Sequence, residues 1–239
     1  ANKTAEEVKE KLLEIMVSLS AFVETISYDK GVRSLPCMKR YHVVDELLAK
    51  GEAVTVFVRP TSDRSRLEGR AVAYAVGDAM DSDDVDAAIM AAKPRVVINT
   101  IGGRGDQAGF WDTTQMNMTA AALMYGAEEV IFLSSVGTGD SAMAYSAAAR
   151  ARTKDSMAER HAAEEDLRGS GLNYVIIRTG IIAPEGTAAT GKARFTEDRM
   201  SLKPIARRDL AKLTVESMGN PACRNKTYAA EDDSIKLSR

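Results

Sequence analysis

From Ala53 onward, short apolar runs alternate with longer stretches of helical periodicity, and few folds accommodate that alternation. The runs are Ala53 to Arg59 (AVTVFVR), Ala71 to Val76, Arg95 to Thr100 (RVVINT), Glu129 to Leu133 and Asn173 to Arg178. Between them, Ser82 to Ala92 reads as a helix capped by Ser82. Thr113 to Tyr125 reads as a helix stopped by Gly126, and Thr153 to Arg168 as one stopped at Gly169 to Gly171. Strands separated by whole helices pair in parallel, through right-handed crossovers. A parallel sheet is covered on both faces, so its strands are almost continuously apolar, as these are. The expected fold class is therefore α/β, with a doubly wound parallel sheet. Gly137 to Ala151, small and Ala-rich, reads as a loop over the carboxyl edge of that sheet, where open α/β sheets bind ligands. Beyond Gly186 the pattern loosens. Ala193 to Thr196 and Lys226 to Ala230 read as short strands and Ile205 to Met218 as a helix, together a small C-terminal lid.

The 239 residues suit one such domain, and a net charge of −2 favours neither nucleic acid nor an anionic membrane. Cys37 and Cys223 make no disulfide framework, and the histidines, His42 and His161, have no metal-ligand spacing, so no metal site is expected. No apolar run is long enough for a transmembrane segment. A soluble protein is expected, cytoplasmic or organellar (stroma or matrix).

The N-terminal part obeys the pattern least. Thr4 to Ile26 reads as one helix: Thr4 and Glu7 form a capping box, and Ala5, Val8, Leu12, Ile15, Leu19, Phe22 and Ile26 form a heptad-like stripe. This is an extra N-terminal helix for such a fold, and residues 4–26 are a candidate docking element for a protein partner. The expected domains are residues 1–30, a helical extension, and residues 31–239, the α/β domain with its lid. Ser27 to Arg33 then occupies the place of the first strand, although Asp29, Lys30 and Gly31 are poor strand residues. Val43, Val44, Leu47 and Leu48 give the first helix its apolar face. In a Rossmann-type dinucleotide fold, the turn before that helix carries glycines in a GxxGxxG pattern, which let the backbone approach a pyrophosphate. Counting back from the helix, those slots hold Ser34, Cys37 and Arg40. Arg33, Lys39 and Arg40 could hold a pyrophosphate by side-chain charge instead; the alternative is a basic loop without a ligand.

The segments VVDELLAKG, VFVRPTSD, VGDAMD, VVINTIGG, FLSSVGTGDS, AEEDLRGSGLNYVIIRTG, ATGKARFTED and IARRDLAKL, in this order, resemble the atypical short-chain dehydrogenase/reductases of the NmrA-like, NAD(P)H-binding kind. The resemblance spans roughly Val43 to Glu231. It implies NADP as cofactor. It places Arg59 at the 2′-phosphate, Asp78 and Ala79 beside the adenine, and Thr100, Ile101 and Gly102 in the loop under the cofactor. Ser134, Ser135 and Thr179 would face the nicotinamide. The family's usual Tyr-Lys pair, in which the lysine lowers the tyrosine pKa, is missing, because its slots hold Ser156 and Arg160. Ser135, Tyr145 and Lys154 are the candidates for a substitute catalytic set. Two functions follow from the resemblance. One is an NAD(P)-binding, oxidoreductase-like protein in which cofactor binding outweighs catalysis. The other is a non-catalytic Rossmann subunit of a larger respiratory or photosynthetic complex, a pseudoenzyme docked through its N-terminal helix.

Overall fold

The computed structural model describes residues 20–25, 40–101 and 108–237. Its main sheet has eight strands. β1 is Ser20–Thr25, β2 Ala53–Val58, β3 Val72–Val76, β4 Val96–Asn99, β5 Glu129–Ser135 and β6 Asn173–Thr179. β7 (Ile181–Ile182) and β9 (Pro204–Ile205) form a separate small ladder, while β8 (Arg194–Thr196) and β10 (Lys226–Glu231) extend the main sheet. The strand order is β3-β2-β1-β4-β5-β6-β10-β8, parallel throughout except for β8 against β10. This is the doubly wound arrangement that the alternation predicts.

The helices are α1 (Arg40–Ala49), α2 (Ser82–Ala92), α3 (Phe110–Met124), α4 (Ala147–Gly169) and α5 (Arg207–Ser217). Successive strand residues point to opposite faces, so each strand feeds two cores. On one face, Ile131 and Leu133 of β5 join Val43, Val44 and Leu47 of α1 and Leu210 and Val215 of α5. On the other, Val130 and Phe132 join Ile89 of α2, Met118 of α3 and Leu167 of α4.

The first strand corrects the sequence reading. Ser20–Thr25 lies inside the expected helix Thr4 to Ile26, yet it pairs in parallel with Ala53–Val58 on one side and with Val96–Ile98 on the other. Among the described residues the sheet therefore begins at Ser20, within the segment expected to be a helical extension of residues 1–30. Both edges of SAFVET are met by ladders, and that gain outweighs a heptad stripe which a short apolar run satisfies equally well. The rest of the expected helix, the expected strand Ser27 to Arg33, and the slots Ser34 and Cys37 lie outside the described residues.

Helix starts are the other corrections. α2 is capped by Asp81 rather than Ser82; the Asp81 carboxylate accepts from the amides of Asp83 and Asp84. α4 begins at Ala147, six residues before the expected Thr153, because the Ser146 hydroxyl accepts from Ala149 N at 3.3 Å. The expected loop Gly137 to Ala151 thus contains a 3-10 helix, Gly139–Ala144, and the first turn of α4.

A buried ion pair joins α4 to β6. The Arg178 guanidinium, 1% exposed, donates to both oxygens of Glu164, at 3.0 and 2.6 Å. Ser134 of β5 donates to the same carboxylate at 2.6 Å, and Arg168 at 2.9 Å. The remaining Arg178 nitrogen reaches Asp140 of the 3-10 helix, which also binds Arg199 beyond β8.

Removing one partner of this pair leaves a buried charge. Glu164→Ala should cost about 3–5 kcal/mol of unfolding free energy in urea melts, whereas a loss below about 1 kcal/mol would mean that solvent replaces the carboxylate. Asp166, packed against α3, behaves in the opposite sense: burial raises its pKa above 3.8, partly offset by the Thr119 hydroxyl. A carboxyl with a raised folded-state pKa destabilises the fold progressively as pH climbs past its unfolded value. Asp166→Asn should therefore gain stability over the parent at pH 7 and lose that advantage near pH 4, as read by melts at the two pH values.

Candidate functional site

β1 lies between β2 and β4, and the chain leaves it toward β2 through α1 and reaches β4 only later. The crevice of a doubly wound sheet opens at the carboxyl ends of such a strand pair. Three parts of that edge are described: the ends of β2 and β3, the end of β4, and the ends of β5 and β6.

At the first part, Arg59 follows β2 directly and is half-buried. A turn closes after it, with Ser62 N donating to Arg59 O at 3.0 Å. The Arg64 guanidinium lies 5.1 Å from the centroid of Tyr74, giving this rim a second cation. Asp78 is exposed at the end of β3, and its carboxylate accepts from Met80 N at 3.0 Å. Ala79 is fully buried, and its carbonyl accepts from Asn117 of α3 at 2.8 Å. Gly77 before them admits no side chain, because a Cβ would stand 2.8 Å from Asp84 and 2.9 Å from Phe57.

At the end of β4, Thr100 and Ile101 are buried, and Gly102 lies outside the described residues. Asn99, which the sequence reading did not single out, organises this end. Its amide nitrogen donates to Gln115 at 2.7 Å and its oxygen accepts from Ile101 N at 2.8 Å. The only sequence signal was a polar residue closing the apolar run RVVINT.

At the ends of β5 and β6, the structure separates residues that the resemblance grouped. Ser134 is 2% exposed and bonded to Glu164, so its hydroxyl points into the layer between sheet and α4. Thr179 is buried too, its hydroxyl donating to Ser134 O at 3.2 Å. Ser135 is half-buried and donates to Val136 O at 3.0 Å. Tyr145 packs on the same turn: a Cβ at Gly137 would meet its ring at 2.7 Å. Ser135 and Tyr145 thus share one turn at the crevice edge, while Lys154 stands exposed on α4. Arg40 opens α1.

The slots of the missing Tyr-Lys pair make contacts within α4 and with α3. Ser156 donates to Thr153 O at 3.0 Å, and the Arg160 guanidinium lies 3.4 Å from the centroid of Trp111 in α3. Between them, Glu159 caps α3, accepting from Gly109 N at 2.8 Å and Trp111 N at 3.2 Å. Among the described residues no group of side chains is arranged to hold a metal ion, and no helix is long and apolar enough to cross a membrane.

Sheet order, crossover point and strand ends define a Rossmann-type dinucleotide fold. A family model described as NAD(P)H-binding matches residues 41–221, and the chain belongs to that family, among its NmrA-like, atypical short-chain dehydrogenase/reductase members. Among solved structures it is similar to ChuY, an anaerobillin reductase from Escherichia coli O157:H7. The identity is 25%, the TM-score 0.75, and the match covers 92% of this chain and 100% of that one. A putative NAD-dependent epimerase/dehydratase from Bacillus halodurans shares the fold at 21% identity and a TM-score of 0.70, over 90% of this chain and 94% of that one. So does a short-chain dehydrogenase/reductase from Veillonella parvula in complex with NADP, at 14% identity and a TM-score of 0.66, over 90% and 95% of the two chains. No curated protein matches the sequence.

If Glu159 is a cap rather than a site residue, Glu159→Ala should cost about 0.5–2 kcal/mol in thermal or urea unfolding. Nucleotide binding should stay within twofold of the parent; a variant of normal stability that had lost binding would place Glu159 in the site.

Proposed function

We propose that this chain is an NADP(H)-binding protein of the reductase type, in which cofactor binding is the retained property and catalysis is secondary. The carrying observation is Arg59 at the carboxyl end of β2, one strand from the crossover point, where a planar guanidinium suits a ribose 2′-phosphate bidentately. The described strand ends fit the adenosine half of the cofactor: a basic rim at Arg59 and Arg64, a tight Gly77–Ala79 turn, and the packed Thr100–Ile101 segment. NADP in the Veillonella parvula relative and reductase activity in the name of ChuY support the same reading. A bound nicotinamide would supply a hydride. The protein's part would be to hold the partner against it. Ser135 and Tyr145, on one turn at the carboxyl edge, are the candidates for that role, with Lys154 exposed on α4.

A second reading, a non-catalytic Rossmann subunit of a larger complex, draws on Ser156, Glu159 and Arg160. Where the family usually carries its acid-base pair, Ser156 bonds within α4, and Glu159 and Arg160 join α4 to α3. The part of residues 4–26 that precedes β1 would then carry the partner contact.

Calorimetric titration with NADPH and NADH separates the two. On the first reading NADPH binds in the micromolar range and more tightly than NADH. Arg59→Ala should then lower NADPH affinity by about 10- to 100-fold, the worth of a charged hydrogen-bonded contact, and leave NADH unchanged. Absence of binding by either nucleotide would overturn this reading in favour of the scaffold.

A further inference from the structure

A second concave site lies where the first turn of α1, the loop after β7 and the first turn of α5 converge. The cleft measures about 300 Å³ and is lined by Tyr41, His42, Pro184 to Ala189, Arg207 and Arg208. Its polar groups are unusual for what they lack. His42 Nδ1 and Arg207 Nε are both buried, and neither has a hydrogen-bond partner among the described residues. The other end of Arg207 is anchored to Ala183 O, which fixes the guanidinium at the wall of the cleft. Arg208 has no carboxylate partner among the described residues. The one acid in the lining, Glu185, is drawn off by Arg66 at 3.3 Å. The N-cap position of α5, Ala206, has no side-chain cap, and the acid in its first turn, Asp209, is engaged by the amides of Thr190 and Gly191.

Buried polar atoms without partners are costly, and proteins retain them chiefly where something else completes them. We propose that this cleft is an oxyanion-binding site, in which Arg207, Arg208 and His42 receive a phosphate or carboxylate group. Two arginines present forked donors to such a group, and the imidazole adds a third donor from the α1 side. The cleft stands on its own geometry whether or not a nucleotide binds. Two sources share this chemistry: the pyrophosphate of a dinucleotide, or an anionic group on a separate substrate.

The charge around His42 agrees with an anion site. Its pKa lies below 6.5, first because of burial and next because of Arg208; Arg207 and Arg70 act in the same direction, and Asp45 opposes them. Asp45 is itself engaged by Arg70, at 2.6 and 3.1 Å. An anion seated among these cations would raise the imidazole pKa, so binding would strengthen as pH falls through the His42 titration.

The chain has two histidines, so both can be followed individually by imidazole NMR, with His161 on α4 as internal control. The full chain would be titrated between pH 5 and 8 with sulfate, whose charge is constant over that range, then with succinate, then with NADPH. Saturating sulfate should raise the His42 pKa by about one unit, equivalent to roughly tenfold tighter binding of the anion to the protonated form. Arg208→Ala, a change at an exposed residue, should abolish that rise, and Arg208→Lys should keep part of it. If NADPH moves His42 and sulfate competes with it, the oxyanion is the cofactor's. If sulfate or succinate moves His42 while NADPH leaves it still, the oxyanion belongs to a separate substrate. A His42 resonance indifferent to all three probes, or a shift equal at His161 or undiminished in Arg208→Ala, would overturn the proposal, and calorimetric NADPH binding would be unaffected by that result.

Discussion

The Glu164–Arg178 pair is the constraint on which the carboxyl edge depends. A guanidinium 1% exposed inside an α/β core is tolerable only when its donors are met, and here one carboxylate meets two of them while Asp140 meets another. The same carboxylate gathers Ser134 from β5 and Arg168 from its own helix. One ionic cluster thereby sets the height of α4 on the sheet, the relation of β5 to β6 and, through Asp140 and Arg199, the position of the segment beyond β8. Replacing such a cluster by apolar groups need not weaken a protein. What it contributes here is orientation, since the hydrogen bonds admit one arrangement of these elements.

That cluster also explains why the two serines at the end of β5 differ. Successive strand residues face opposite ways. Ser134 is on the α4 side and becomes part of the ionic cluster; Ser135 is left at the turn with Gly137 and Tyr145. Likewise, α4 carries Glu159 and Arg160 toward α3, where they cap and pack, while the Ser156 hydroxyl bonds within α4 itself. Where the family usually carries its acid-base pair, Ser156 bonds within α4 and Arg160 lies over Trp111 of α3.

Much of the fold was legible from Ala53 onward, because strands buried on both faces leave continuous apolar runs such as AVTVFV and RVVIN, and intervening helices force parallel pairing. Three things were not legible. SAFVET reads as the end of an amphipathic helix, and only its fit between β2 and β4 makes it a strand. Asn99 looks like any polar strand end until Gln115 and Ile101 are seen to share it. The cleft at His42 and Arg207 joins residues more than 160 positions apart, which no local pattern relates.

The sequence by itself determined the class of the protein: α/β, parallel, doubly wound, with Arg59, Asp78 and Thr100 following apolar runs at the edge where such sheets bind nucleotides. These are local properties, carried by hydrophobic period and by the residue that ends each run. Only the tertiary structure decided which segment is the central strand, which of two adjacent serines faces the helix layer, and where the side chains of His42, Arg207 and Arg208 come together. Each of those outcomes depends on pairing and burial between distant segments, and their energies exist only once the chain has closed on itself.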